Sequence, residues 1–128
     1  YRGNLALLRM PLPRRALRIS RKAASHEILG VKRELAAFQG IVCSTFFSAG
    51  ERDCLDSLLA GQGRLIWVLP MAMPAAIPVK WTDALLEGRA LWLSAFPQEL
   101  ENATRTSCQL ANTWVERFCA VTPAKTTG

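Results

Sequence analysis

The chain lacks nearly every residue pattern that marks a catalytic centre. There is one histidine in 128 residues, His26 beside Glu27, and it sits near a helix start with no partner that would make it a base. No GxSxG elbow, no HExxH pair and no GxxxxGK[ST] phosphate loop occurs, so the strand–turn–helix nucleophile, the two-histidine zinc helix and the Walker-type cradle are missing. The four cysteines, Cys43, Cys54, Cys108 and Cys119, form no CxxC pair. With a single histidine beside them a zinc site is not expected, and their apolar neighbours lead us to expect free buried thiols. Cys43 precedes Ser44 at a strand end, but no base accompanies it. Apolar runs all fall short of the ~20 residues that span a bilayer, and the basic start has no uninterrupted apolar core of a secretory signal. A cytoplasmic protein with no membrane association is expected. The sequence begins at Tyr1 rather than Met, compatible with a piece of a longer protein.

Acid is scarce where base is abundant. The net charge is +6, and nine of the sixteen Lys and Arg lie in the first 33 residues, opposed there by Glu27 alone. A one-sided basic segment attracts polyanions by counterion release and raises encounter rates. Charge by itself does not choose between DNA, RNA and anionic lipid, and a solvated basic surface has the same composition.

Half of the residues are apolar, and at this length one domain with a proper core is expected, over residues 1–122 with a polar tail at 123–128. Strand and helix patterns alternate. Residues 15–20 (RALRIS) read as a strand after Pro11-Leu12-Pro13. Residues 25–38 carry Ile28, Val31, Leu35 and Phe38 at helical spacing, with Ser25 as N-cap. A second strand follows at 41–46, and a helix at 49–60 capped by Ser48 and closed by Gly61 and Gly63. RLIWVLP (64–70) is a strand covered on both faces. The proline-rich 71–78 is a loop, 79–88 a short helix and 89–96 a fourth strand. Residues 104–114 form a helix with Leu110 and Trp114 inward, and ERFCAV (116–121) a fifth strand. Alternating strands and crossovers define the fold class: α/β, a three-layer Rossmann-like parallel sheet of about five strands with helices on both faces.

In such sheets the ligand crevice lies beyond the carboxyl ends of the strands. Those ends read Ser20-Arg21-Lys22, Ser44-Thr45-Phe46, Pro70-Met71-Ala72, Ser94-Ala95-Phe96 and Val121-Thr122. Cations, hydroxyls and rings with almost no carboxylate suit a phosphate or phosphodiester better than acid–base chemistry. The helix after Ser48 offers N–H donors to an anion, although Glu51 in its first turn can fill that role internally. Trp67 and Trp92 belong to the core. Trp81 and Phe47, if exposed, would stack on bases at ~1–3 kcal/mol each, and burial is the commoner fate of both.

The order of segments RGNLALL (2–8), a strand ending in SRK (20–22), IVCSTFFSAGERDCLDSLLAG (41–61), GRLIWVLP (63–70) and IPVKWTDALLEGRALWLSAFP (77–97) resembles the Rossmann-like domain of the DNA-processing protein A (Smf) family, most closely its short stand-alone relatives. The resemblance spans residues 1–121. It implies a non-catalytic fold that binds single-stranded DNA, forms homodimers and helps load a recombinase in DNA uptake and transformation, with no cofactor. The family's first strand ends in Gly-Ser-Arg, matched by Ile19-Ser20-Arg21. Its second ends in Ser-Gly before an Ala-Arg-Gly-Ile-Asp turn, matched by Ser44-Thr45 and Phe46 to Glu51. A later Arg-Asn-Arg falls near Arg105-Thr106-Ser107-Cys108. Ile19 and Thr45 replace two glycines, and β-branched side chains there obstruct close approach of a phosphate. The phosphate site is therefore expected to be loosened, shifted or lost while the fold survives.

The leading expectation is a single-stranded-DNA or other phosphate-bearing polyanion binder. It would use Arg21 and Lys22, supported by Arg18 and Arg105, with Ser20, Ser44 and Thr45 at the phosphate site. One alternative is a phosphoribohydrolase-like, nucleotide-binding enzyme of the same superfold, against which stands LPMAMPAAIP in place of a Pro-Gly-Gly-x-Gly-Thr segment. The other is a degenerate scaffold with no nucleic-acid affinity.

Overall fold

A computed structural model describes residues 1–120; the tail at 123–128 and the strand end at Val121-Thr122 lie outside the described residues. Five short strands pair into one sheet: β1 (Arg2–Gly3), β2 (Arg14–Ala16), β3 (Ile41–Ser44), β4 (Arg64–Val68) and β5 (Ala90–Leu93). Their spatial order is β1-β5-β4-β3-β2. Strands β2 to β5 run parallel, in registers that set Ala16 against Cys43, Cys43 against Ile66 and Ile66 against Leu91. Strand β1 pairs antiparallel with β5 at one edge. The helices are α1 (Ser25–Ala37), α2 (Ala49–Ala60), α3 (Thr82–Leu86) and α4 (Arg105–Ala120), with 3-10 turns at Leu5–Leu8 and Val79–Trp81.

Side chains alternate across the sheet, so each face carries its own core. One face packs Val42, Leu65 and Trp92 against Leu35 of α1, Cys54, Leu55 and Leu58 of α2, and Ala84 of α3. The other packs Ile41, Cys43, Ile66, Val68 and Leu91 against Leu7 and against Ala111 and Val115 of α4. With both faces covered, β3 and β4 read as near-continuous apolar runs, as the three-layer α/β architecture requires. Trp81 stacks on Trp67 at 5.4 Å and meets Trp92 edge-on at 5.2 Å. At 1 % exposure Trp81 belongs to the core, so its base-stacking reading is set aside. No helix among the described residues is long and apolar enough to cross a membrane.

The structure corrects four local expectations. Residues 116–120 are not a strand but the last turns of α4. Ala111, Val115 and Phe118 follow one another at spacings of four and three along the face turned to the sheet, so the helix continues through the apolar FCA. The fifth strand is instead β1, two residues long and too short to show an alternation. On α4 Ala111 and Val115 are buried and Trp114 packs against the same cluster as expected, whereas Leu110 is exposed, one position around the helix from the buried stripe. Finally, Ser25 is the first residue of α1 and not its cap. The Glu27 carboxylate reaches back to accept from the Ala24 N–H at 2.9 Å.

Candidate functional site

Strand β2 ends early, at Ala16, but its direction persists. Leu17 N–H still donates to the Cys43 carbonyl at 2.9 Å. Two residues later the chain leaves the ladder, and Ile19 N–H donates instead to Oε2 of Glu51 at 2.8 Å. A tight turn follows: Ala23 N–H donates to the Ser20 carbonyl, and Lys22 N–H to Oγ of Ser20, both at 3.1 Å. Arg21 and Lys22 occupy the tip of this turn. The Ile19 side chain points inward and is 8 % exposed. It is accommodated by Gly50 in the first turn of α2, where a Cβ would meet Ile19 Cγ2 at 2.7 Å. The missing Cβ at Gly50 lets the chain after β2 pack closely on the start of α2.

Strand β3 ends in a second turn. Oγ of the fully buried Ser44 accepts from Phe46 N–H at 3.0 Å, and Phe46 adopts φ +46°. Helix α2 then starts with a reciprocal cap. Ser48 Oγ accepts from Glu51 N–H at 3.2 Å, and Glu51 Oε1 accepts from Ser48 N–H at 3.4 Å. Oε1 of Glu51 also accepts from Phe47 N–H at 2.9 Å and from the Thr45 hydroxyl at 3.4 Å. A carboxylate 4 % exposed therefore collects the donors from both strand ends that an anion at this helix start would use. Glu51 thus occupies the anion position at the start of α2.

Above Glu51 opens a cleft of about 850 Å³, walled by Arg18 to Arg21 after β2, by Thr45, Phe47 and Ser48 before α2, and by Ala103 to Arg105, Cys108, Gln109 and Asn112 at the start of α4. Thr104 and Ser107 cap α4 reciprocally: Ser107 N–H donates to Thr104 Oγ1 at 3.0 Å, and Thr104 N–H to Ser107 Oγ at 2.8 Å. This fixes the turn that carries Arg105. Burial pushes the Cys108 thiol pKa up, with Glu51 acting in the same direction and Arg21 against it.

Of the seven residues singled out by sequence, Arg18, Ser20, Arg21, Thr45 and Arg105 line this cleft. Lys22 is exposed beside it without lining it, and Ser44 is buried beneath, its oxygen engaged by Phe46. Gln109 and Asn112 were missed; with Arg105 and Cys108 they form one helix face, at spacings of three and four already contained in the expected helix 104–114.

The basic N-terminal segment is not one patch. Arg14 donates to the carbonyls of Leu8 and Phe118, Arg15 pairs with Glu34, and Lys32 with Asp53. Arg2 donates to the Pro74 carbonyl and lies over the Trp92 ring. Among the described residues Arg18, Arg21, Lys22 and Arg105 take part in no ion pair.

Comparison with protein-family models, with curated proteins and with solved structures finds no match for this chain.

Proposed function

We propose that the protein is a non-enzymatic binder of single-stranded nucleic acid, holding phosphates on Arg18, Arg21 and Arg105 across the crevice. One observation carries this reading: three arginines from two separate elements line a single cleft, and none is neutralised by an ion pair among the described residues. A guanidinium presents five donors and remains charged at any working pH, so an open cleft rimmed by three of them suits a phosphodiester chain. Ser20, whose oxygen accepts from Lys22 N–H, keeps its hydroxyl proton for a phosphate oxygen. The bound phosphate lies on the rim, because Glu51 holds the position at the helix start.

Absence of catalysis is part of the proposal. Among the described residues Glu51 is the one carboxylate in the cleft wall, and four donors already engage it. His26 lies outside the lining. These features agree with the resemblance to the DNA-processing protein A family, and the shift of the phosphate away from the helix start is what this sequence adds to it.

Titration of a labelled single-stranded oligonucleotide at several salt concentrations tests the reading. Three phosphate contacts give a slope of log K against log salt of about −2, at roughly −0.7 per contact. Replacing Arg21 and Arg105 together by alanine brings it to about −0.7. No binding at the lowest salt, or a slope indifferent to these substitutions, overturns the proposal.

A further inference from the structure

Beside the arginine cleft lies a smaller one of about 270 Å³, and Thr45, Phe47 and Ala103 belong to the walls of both. Phe47 stands between them, 47 % exposed. Its outward position follows from the turn before it: Phe46 takes the left-handed conformation at φ +46° and buries its own ring edge-on to Trp81. A bulky residue held in that region is strained, and here the strain accompanies an aromatic ring presented to solvent at the mouth of the sheet.

The two clefts differ in chemistry. The larger carries three arginines over one satisfied carboxylate, whereas the smaller joins the apolar surfaces of Phe47, Trp67 and Met71 to Glu101, Asn102 and Arg52. The Trp67 indole N–H is already donated to the Thr45 carbonyl at 2.8 Å, so that ring offers surface and no hydrogen bond. Glu101 forms no ion pair among the described residues; its carboxylate repels a phosphate and accepts from an amino group.

We propose that the smaller cleft is a nucleobase subsite. It takes the base of a nucleotide in a strand whose phosphates lie on Arg18, Arg21 and Arg105, and so rests on the nucleic-acid reading above. Phe47 supplies the stacking face, and Glu101 accepts from the exocyclic amino group of cytosine or adenine, which thymine lacks.

The test compares three labelled 12-nucleotide probes of equal phosphate count: oligo-dC, oligo-dT and an abasic strand. Expected is a ten- to hundredfold loss of affinity for the abasic strand, with oligo-dC bound more tightly than oligo-dT. Phe47→Ala lowers affinity for oligo-dC by a similar factor and leaves the abasic strand unaffected, while Phe47→Leu, which keeps an apolar side chain of similar bulk, shows the same loss of stacking. Glu101→Gln narrows the dC-to-dT ratio. If the abasic strand binds as tightly as the others with the full salt slope, the subsite is overturned and the phosphate reading stands. If none of the probes binds, both fall.

Discussion

Replacing Glu51 by alanine removes the acceptor that ties the two strand ends to helix α2. Ile19 N–H at 2.8 Å and Phe47 N–H at 2.9 Å lose well-formed bonds to a charged oxygen, and Ser48 N–H and the Thr45 hydroxyl lose longer ones at 3.4 Å. Hydrogen bonds to charged groups contribute about 1.5–3 kcal/mol each. The two short ones alone amount to about 3–6 kcal/mol. Water entering from the adjoining cleft recovers part of this, and the cost of holding a charge at 4 % exposure disappears. A net loss of about 2–4 kcal/mol follows, or roughly 10 °C in melting temperature for a domain of this size. Ser48→Ala removes only the capping oxygen, worth about 1 kcal/mol, so thermal unfolding followed by circular dichroism should rank Glu51→Ala well below Ser48→Ala. The orphaned N–H groups also become available to an external anion. Sulfate or inorganic phosphate at a hundred times its dissociation constant restores about 2.7 kcal/mol, and should raise the melting temperature of Glu51→Ala more than that of the wild type. A Glu51→Ala protein that melts within about 2 °C of wild type, with no selective response to sulfate, would refute the view that this carboxylate stands in for a bound anion.

Other perturbations test neighbouring parts of the account. Gly50→Ala drives a Cβ to 2.7 Å from Ile19 Cγ2 and should cost about 1–3 kcal/mol by overpacking. The same change in an Ile19→Ala background should cost clearly less, a coupling that a double-mutant cycle of urea midpoints would measure. Lys22→Ala, outside the cleft lining, should change the salt slope of oligonucleotide binding by less than Arg21→Ala does. Cys43 and Cys119 share a hydrogen bond that raises the Cys43 pKa and lowers that of Cys119, with Arg14 lowering both. Cys119 should therefore ionise at a lower pH than an ordinary thiol, and timed alkylation read by mass spectrometry should label it before the fully buried Cys43. In Cys43→Ala the Cys119 reaction should shift toward higher pH.

Legibility in the sequence followed the strength of local signals. Helix α2 was readable to the residue, because Ser48 and Gly61 mark its ends and Cys54, Leu55, Leu58 and Leu59 its buried stripe. Strand β4 announced itself by RLIWV, though it ends at Val68, and beyond it only Leu69 N–H still bonds across to Leu93. Strand β1 was illegible, since two residues carry no period and its pairing with β5 spans most of the sequence. The end of α4 was misread because Phe118 and Cys119 look alike in either structure until they are aligned with Ala111 and Val115. At the site, the hydroxyl and cation of Ser20-Arg21 were visible. The reach of Glu51 to Ile19 was not, because a capping box shows only its local half. The room that Gly50 leaves for Ile19 was not legible either, because the two meet only once the strand end and the helix start are brought together.

The location of the binding surface is the central claim, and amide chemical-shift mapping with a single-stranded oligonucleotide addresses it most directly. Residues 18–21, 45–48 and 103–112 should shift together as the DNA is added, and those changes should weaken in Arg21→Ala. Shifts gathered instead around Leu35 to Gly40 and Leu58 to Arg64, where another groove opens beside β3 and β4, would contradict it, as would a spectrum that does not change.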